Sequence, residues 1–436
     1  MKKILFFLWL PLVLQGCDGS LDSNQEELDQ FVLDSSIWTV QLGTGTSDSA
    51  QGLSIDSQGN LYLAGYTSGN LQGNGNAGGQ DLVLVKYNSN GDRQWTRQIG
   101  VSGDDVAFAS ATDSSGNVYA AGYTEGGLDG NTHIGSFDLF LIKYDTNGSK
   151  LWSIQHGTSA KDVIFAVATD TSGNVYISGY TAGNLDSNTS SGGDDLILIK
   201  YNSSGTRQWT KQYGSSGSDY ARGVSLDSSG NIYVVGDTSG GLGSNSNSGS
   251  EDLFLIKYNS SGNLQWTQQM GTFSNDVAFD VATDSSGNSY VTGYTGGSLD
   301  SNTHSGELDL FLVKYDTSGN KSWTRQLGTS TSDYARGVSV DADGNVSFTG
   351  YTTAALYGQT HYGSDDLFLV KYNSSGTKLW TRQLGTSTLD RAVDVIHDAS
   401  GNAYIAGSTL GDLDYQRSKG GDDLFLVKYN SDGVKQ

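Results

Sequence analysis

A single cysteine, Cys17, among 436 residues excludes any intramolecular disulfide. Basic side chains are also scarce: 25 Lys and Arg stand against 47 Asp and Glu, a formal charge of −22. So acidic a chain, with no basic stripe, repels nucleic acid, and none is expected as a partner. Cations, basic proteins and uncharged sugars remain compatible with it. Histidine occurs five times, at His133, His156, His304, His361 and His397. Three of these lie in loops separated by 57 residues or a multiple of it, so they are spread out and assemble no metal ligand set. Neither G-x-S-x-G nor H-E-x-x-H is present. Proline occurs once, whereas glycine occurs 60 times beside abundant Tyr, Thr, Ser, Asn and Asp. Many short strands joined by Gly, Asn and Asp turns have this composition, and the 11% aromatic content separates it from a disordered chain.

Residues 1–16 read as a signal peptide. Lys2 and Lys3 precede an apolar run from Ile4 to Leu14, too short and wrongly flanked to span a membrane. Leu14-Gln15-Gly16-Cys17 follows, a small residue and then cysteine at the end of the run. This resembles the lipobox of bacterial lipoproteins, which implies cleavage before Cys17 and lipid on its thiol and new amino group. Each buried CH2 of such a lipid contributes roughly 0.8 kcal/mol to anchoring. Removing two lysines and no acids takes the charge from −22 to −24. Residues 17–35, acidic and aperiodic, read as the lipidated Cys17 and a tether. The expected location is the cell envelope of a bacterium, on the periplasmic face or the cell surface.

From residue 36 to 436 the chain repeats. Trp38, Trp95, Trp152, Trp209, Trp266, Trp323 and Trp380 stand 57 residues apart without insertion or deletion. A Gln follows each Trp by three and a Gly by five. Asp48 to Asp390, Asp81 to Asp423, Gly59-Asn60 to Gly401-Asn402, and Lys86-Tyr87 to Lys428-Tyr429 keep the same step. Each unit holds four strand-like runs, called A to D; in the second unit these are Phe108–Asp113, Val118–Thr124, Asp138–Tyr144 and Leu151–Gly157. The A–B and C–D links place Gly where a tight hairpin needs positive φ. Run C is apolar at successive positions, as a strand covered on both faces is. Four antiparallel strands per unit, buried by neighbours on both sides, describe a propeller blade. The first Trp run lacks A, B and C before it, and the last unit lacks D. Joining them predicts an all-β fold: a seven-bladed propeller closed by its N-terminal strand, with no open edge.

The run Asp113 to Thr124, the strand Asp366 to Tyr372 and the run Gly91 to Gly100 resemble the SBBP family, a bacterial seven-bladed β-propeller repeat. The resemblance covers residues 36–436. It implies a propeller fold and an exported protein, and hands over no catalytic residue. The G-x-x-x-W half of the C–D link is similar to the tryptophan-docking repeat of quinoprotein propellers. Its turn is one residue shorter and the Ala-x-Asp start is missing, so the likeness implies shared packing and no quinone.

Residues that recur in every blade are expected to hold the blades together. The Trp series docks each outer strand on its neighbour. The Asp48 and Asp81 series accept backbone N–H groups in adjoining loops. The Lys86 series pairs with turn carboxylates. Calcium is the alternative for the aspartates, because the loop Leu185 to Asp195 is rich in oxygen, but it lacks D-x-D-x-D-G spacing, and no cofactor is expected.

Function is expected where blades differ. The third residue after the Asp48 series is Gln51, Phe108, Phe165, Arg222, Phe279, Arg336 or Val393. Blades four and six alone read D-Y-A-R-G, and the next position supplies Asp280 and Asp394 in blades five and seven. Tyr220, Arg222, Tyr334, Arg336, Asp280 and Asp394 are therefore the candidate ligand-binding residues, converging at one mouth of the central channel. Every loop has the same length, whereas a hydrolase calls for one long irregular loop. The expected function is a non-catalytic, monomeric scaffold that binds a protein or glycan; the alternative is a propeller enzyme acting on polysaccharide.

Overall fold

The computed structural model describes residues 38–436. Cys17, the leader and the tether lie outside the described residues. Seven four-stranded antiparallel sheets make up the rest. Their A strands are Asp48–Ile55, Asp105–Thr112, Asp162–Thr169, Asp219–Leu226, Asp276–Thr283, Asp333–Val340 and Asp390–His397, defining blades 1 to 7. Blade 7 takes its D strand from Thr39–Leu42, which pairs antiparallel with Asp423–Tyr429, Thr39 facing Val427 and Leu42 facing Leu424. The propeller and its N-terminal closure are thus as the 57-residue period requires.

The repeated residues explain themselves one bond at a time. In the A–B turn of blade 2, the Asp113 carboxylate accepts the N–H groups of Ser115 and Asn117, each at 3.0 Å, and the Tyr119 hydroxyl at 3.1 Å. Gly116 completes that turn at φ +77°, a conformation that side chains other than glycine rarely adopt. In the W-x-x-Q-x-G run, each polar or small residue has a separate duty. Trp95 donates its indole N–H to the Thr146 carbonyl of the next blade at 3.2 Å. Gln98 donates to Asp81 at 2.8 Å and to the Gly69 carbonyl at 2.9 Å, while its own oxygen accepts the Leu71 N–H. Gly100 leaves the space that the Asp81 carboxylate fills.

The Asp48 series joins blades. In blade 3, Asp162 accepts the Thr181 hydroxyl at 2.5 Å and the Thr158 N–H at 2.7 Å. Its backbone N–H donates to the Phe137 carbonyl of blade 2 at 2.9 Å. The equivalent inter-blade bond recurs all round the ring, including Asp48 N–H to Asp422 carbonyl across the closure at 2.7 Å. The Lys86 series pairs with turn carboxylates only in part: Lys143 lies 3.2 Å from Asp113 and Lys371 2.8 Å from Asp341, whereas Lys86 and Lys257 donate to the Thr146 and Thr317 carbonyls of the next blade, both at 2.9 Å. The largest apolar side chains fill seven clusters, each shared by adjacent blades.

Blade 6 carries Ser347 where all six other blades have a tyrosine in the same A–B hairpin, and His397 of blade 7 occupies the vacated space. Its Nδ1 lies 3.0 Å from the Ser339 hydroxyl and its Nε2 3.1 Å from that of Ser347. Burial, with Lys371 nearby, pushes the imidazole down to about 4, although Asp341 and Asp398 pull the other way. Between that value and the ordinary one near 6.5, the unfolded chain binds a proton that the folded chain refuses. The contribution is therefore fully present above pH 6.5 and is lost as pH falls toward 4, up to about 3 kcal/mol. Urea denaturation of wild type and His397→Gln at pH 7.5 and 4.5 should show a smaller pH-induced loss in the variant; equal losses would contradict a buried neutral ring.

Candidate functional site at the channel mouth

Every A strand breaks register between its third and fifth residues. The fourth residue is the extra one of a β-bulge, opposed by no residue of strand B. This is the Gln51, Phe108, Phe165, Arg222, Phe279, Arg336, Val393 series, and all seven line a central channel of about 830 Å3. In five of the seven blades the fifth residue lines it too, so Phe279 and Asp280, adjacent in sequence, both reach the channel.

Around one mouth, the side chains divide into two sectors. Blades 2 and 3 present half-buried rings: Phe108 lies 5.4 Å from Phe165 and 5.9 Å from Tyr123, and Phe165 lies 5.7 Å from Tyr180. Blades 4, 6 and 7 present arginines, with Phe279 of blade 5 among them. Arg222 pairs with Asp237, whose carboxylate is 1% exposed, and stacks near Phe165, Tyr220 and Phe279 at 5.3–5.6 Å. Burial pushes the Asp237 carboxyl up and Arg222 pulls it back down. Arg336 stands 4.0 Å over Phe279 and donates to the Tyr351 hydroxyl at 3.3 Å. No carboxylate pairs with it among the described residues. Arg391, 46% exposed, donates to Asp365 at 2.5 Å and lies 4.9 Å from the Tyr351 ring.

Asp280 and Asp394 sit deeper in the same channel. Asp280 accepts the N–H groups of Val281 and Val338, both at 2.8 Å, and so bridges blades 5 and 6. Asp394 accepts those of Val395 at 2.7 Å and Leu53 at 2.8 Å, bridging blades 7 and 1. Glycines flank them: a Cβ on Gly337 would stand 2.7 Å from the Asp394 Cα, and one on Gly223 3.0 Å from the Asp280 Cα. Burial first, and then the charge of Asp394, pushes the Asp280 carboxyl well above the usual carboxylate range; burial does the same to Asp394.

The structure therefore brings Arg222, Arg336, Asp280 and Asp394 to one channel and turns Tyr220 and Tyr334 into the seams between blades. The Tyr220 hydroxyl donates to Asp194 at 2.6 Å, and its ring meets Tyr180 edge-on at 5.0 Å. Tyr334 stacks on Tyr351 at 4.8 Å and lines a second pocket of about 410 Å3 with Glu307, Thr331, Ser332, Thr353 and Asp365. Tyr351 and Arg391 line both spaces. Two functional side chains escape the sequence reading. Arg391 stands one residue after the Asp390 position, where other blades carry Ser, Val or Tyr, and Asp237 replaces the tyrosine of the G-Y-T run.

The histidines stay apart: His133, His304 and His361 each lie 3.3–3.4 Å from the aspartate that opens strand C of their own blade. In the loop Leu185 to Asp195, Asp186 takes Arg207 at 2.6 Å and the Thr210 hydroxyl at 2.5 Å, and Asp195 takes Gln212 at 2.7 Å. Protein donors thus occupy the oxygens nearest to a calcium arrangement.

A curated relative from Acanthamoeba polyphaga mimivirus, an uncharacterized WD repeat-containing protein, is 22% identical over 85% of this chain and 36% of its own length. The regulatory protein FlaEY of Caulobacter vibrioides is 30% identical over 41% of this chain and 21% of its own. The chain thus spans about a third or less of the curated relatives it matches. A solved structure of a protein of unknown function from Bacteroides caccae superposes with TM-score 0.40 and 13% identity, covering 69% of this chain and 90% of that one. The SBBP β-propeller repeat model matches residues 37–72, 94–129, 151–186, 208–243, 265–300, 322–358 and 379–414, and the chain belongs to that family.

Proposed function

We propose that the protein is a non-catalytic propeller of the bacterial cell envelope, held by lipid on Cys17, which binds a protein or glycan at the channel mouth. One contrast carries this reading. The repeated polar residues are taken up by bonds within and between blades, whereas the residues that differ between blades gather around one open channel. A scaffold is equal in all blades; a binding site on a ring is where that equality is broken. The raised carboxyls of Asp280 and Asp394 are the observation favouring a second reading, an enzyme on polysaccharide, because a protonated acid facing a channel is what general acid catalysis requires. Their paired bonds to backbone amides favour a part in the wall.

One experiment addresses both halves. Labelled fatty acid should enter the wild-type protein and not Cys17→Ser, which should appear uncleaved or soluble. Capture of a ligand from the native envelope by wild type should be lost in Arg336→Ala, whose removal strands no buried carboxylate. Label in the Cys17→Ser protein would remove the anchor, and undiminished capture by Arg336→Ala would remove the mouth.

A further inference from the structure

Arginines at the fifth position of the outer D strands are held by several backbone carbonyls, unlike those at the mouth. Arg97 bonds Gly148 at 2.7 Å, Thr96 at 2.9 Å and Asn147 at 3.2 Å, and Arg382 bonds Gly433, Thr381 and Asp432 in the same way. At the mouth, Arg222, Arg336 and Arg391 each make a single hydrogen bond to another described residue. A guanidinium carries five N–H donors in a planar fork that matches a carboxylate in bidentate geometry. Donors therefore remain on three neighbouring arginines that line one channel. Of the three, Arg336 lacks a carboxylate partner among the described residues, and its guanidinium carbon lies 4.0 Å from the centre of the Phe279 ring.

We propose that the mouth is a carbohydrate site for a neutral glycan bearing an isolated uronic acid, with the carboxylate held by Arg336 and flanked by Arg391. The proposal rests on the reading that the mouth binds a ligand, and names its chemistry. Net charge sets the first condition. A chain at −22 repels a polyanion, so the acid must stand alone on an otherwise neutral ligand. The half-buried rings of Phe108 and Phe165 line the same channel, apolar surface of the kind that the C–H face of a pyranose packs on. The pocket that shares Tyr351 and Arg391 with the channel is lined by Thr331, Ser332, Thr353 and Glu307, hydroxyl and carboxylate groups that suit the hydroxyls of an adjoining sugar. A peptide would seek main-chain partners, yet the bulge amides of Val338 and Leu53 facing the channel are already capped by Asp280 and Asp394.

The test is calorimetric titration of the full-length protein with aldotetraouronic acid, a xylotriose carrying one glucuronate, and with xylotetraose as its neutral counterpart. The acidic sugar should bind about tenfold or more tightly than the neutral one, the scale of a hydrogen bond to a charged group. Arg336→Gln should lower affinity for the acidic sugar by about the same factor and leave xylotetraose unchanged. Arg336→Lys should recover only part of it, because the charge remains and the fork is lost. Arg382→Gln, on the outer rim, should match wild type. Equal affinity for the two sugars, indifference to Arg336→Gln, or tighter binding of a tripeptide ending in tyrosine would each overturn the proposal. Envelope capture that still depends on Arg336 would then preserve the mouth as a binding site with a different ligand.

Discussion

Deleting residues 38–43 should make the protein aggregate and abolish the cooperative melting of the ring. The segment supplies the whole D strand of blade 7, so its loss bares the edge of Asp423–Tyr429, whose apolar residues Leu424 to Val427 are the ones it pairs with. Bare strand edges recruit other chains. Three further contacts disappear with it. Gln41 no longer bonds Asp423 at 2.8 Å, Trp38 no longer meets Tyr404 edge-on at 5.3 Å, and the Trp38 indole no longer packs on Gly91 of blade 1. The single change Trp38→Ala should cost about 3 kcal/mol, the lower end for a tryptophan that is only partly buried. Moving residues 38–43 to follow Gln436 through a short Gly-Ser linker should restore monomeric behaviour and most of the melting temperature. Size-exclusion chromatography and calorimetry on the two rearranged chains decide the matter. A deleted chain that melts like the intact one would mean that the closing strand is an accessory.

Arg222→Phe and Asp237→Tyr should each destabilise the protein by about 3–5 kcal/mol, and together should cost little or nothing. The first leaves the Asp237 carboxylate, 1% exposed, without its cation; the second leaves the cation without its carboxylate. Breaking a buried pair from one side is costly because a charge remains in the wall uncompensated. One oxygen of Asp237 already has no hydrogen-bond partner, so nothing nearby takes over from Arg222. The double variant writes into blade 4 the Phe–Tyr pair that blades 2, 3 and 5 carry, with ring centroids 5.7–5.9 Å apart. The interaction energy of the cycle should therefore exceed about 2 kcal/mol in favour of the double variant. Additive losses in urea denaturation would show that the two side chains act separately. With fold retained, the double variant also becomes a clean probe of how far Arg222 assists Arg336 at the mouth.

The ring, its four-stranded units and its closure were legible in the sequence because each depends on spacing alone. An unbroken 57-residue step fixes blade identity, and a D run without A, B and C beside an A-B-C unit without D admits one pairing. The mouth was legible only in part. Strict alternation along strand A puts Phe279 and Asp280 on opposite faces. The bulge at the fourth residue brings both to the channel, and a bulge is settled by the pairing of two strands, not by either strand's composition. Tyr220 and Tyr334 share the D-Y-A-R-G run with their arginines, yet their hydroxyl and ring find partners in neighbouring blades that no local pattern names. Arg391 and Asp237 were visible as departures from the repeat. What each departure meant depended on the side chain across the hairpin or across the blade seam: Asp237 answers Arg222, Arg391 answers Asp365 and Gly337 answers Asp394.

The strand that completes the ring is made first and used last. Thr39–Leu42 leave the ribosome before any blade exists, and Gln41 meets Asp423 only after 382 further residues have been added. Left free, so distant a partner would carry a large loop-closure entropy, growing as the logarithm of the intervening length. The Trp38–Gly91 contact changes that arithmetic, because blade 1, the first sheet to be finished, already offers a seat for the waiting strand. Each later blade packs on the one before it through the same seam, so in the finished ring the edge of blade 7 meets the strand whose Trp38 rests against blade 1. The ring then closes between two held ends, and the slow search that a long-range sheet usually demands is divided into seven short ones.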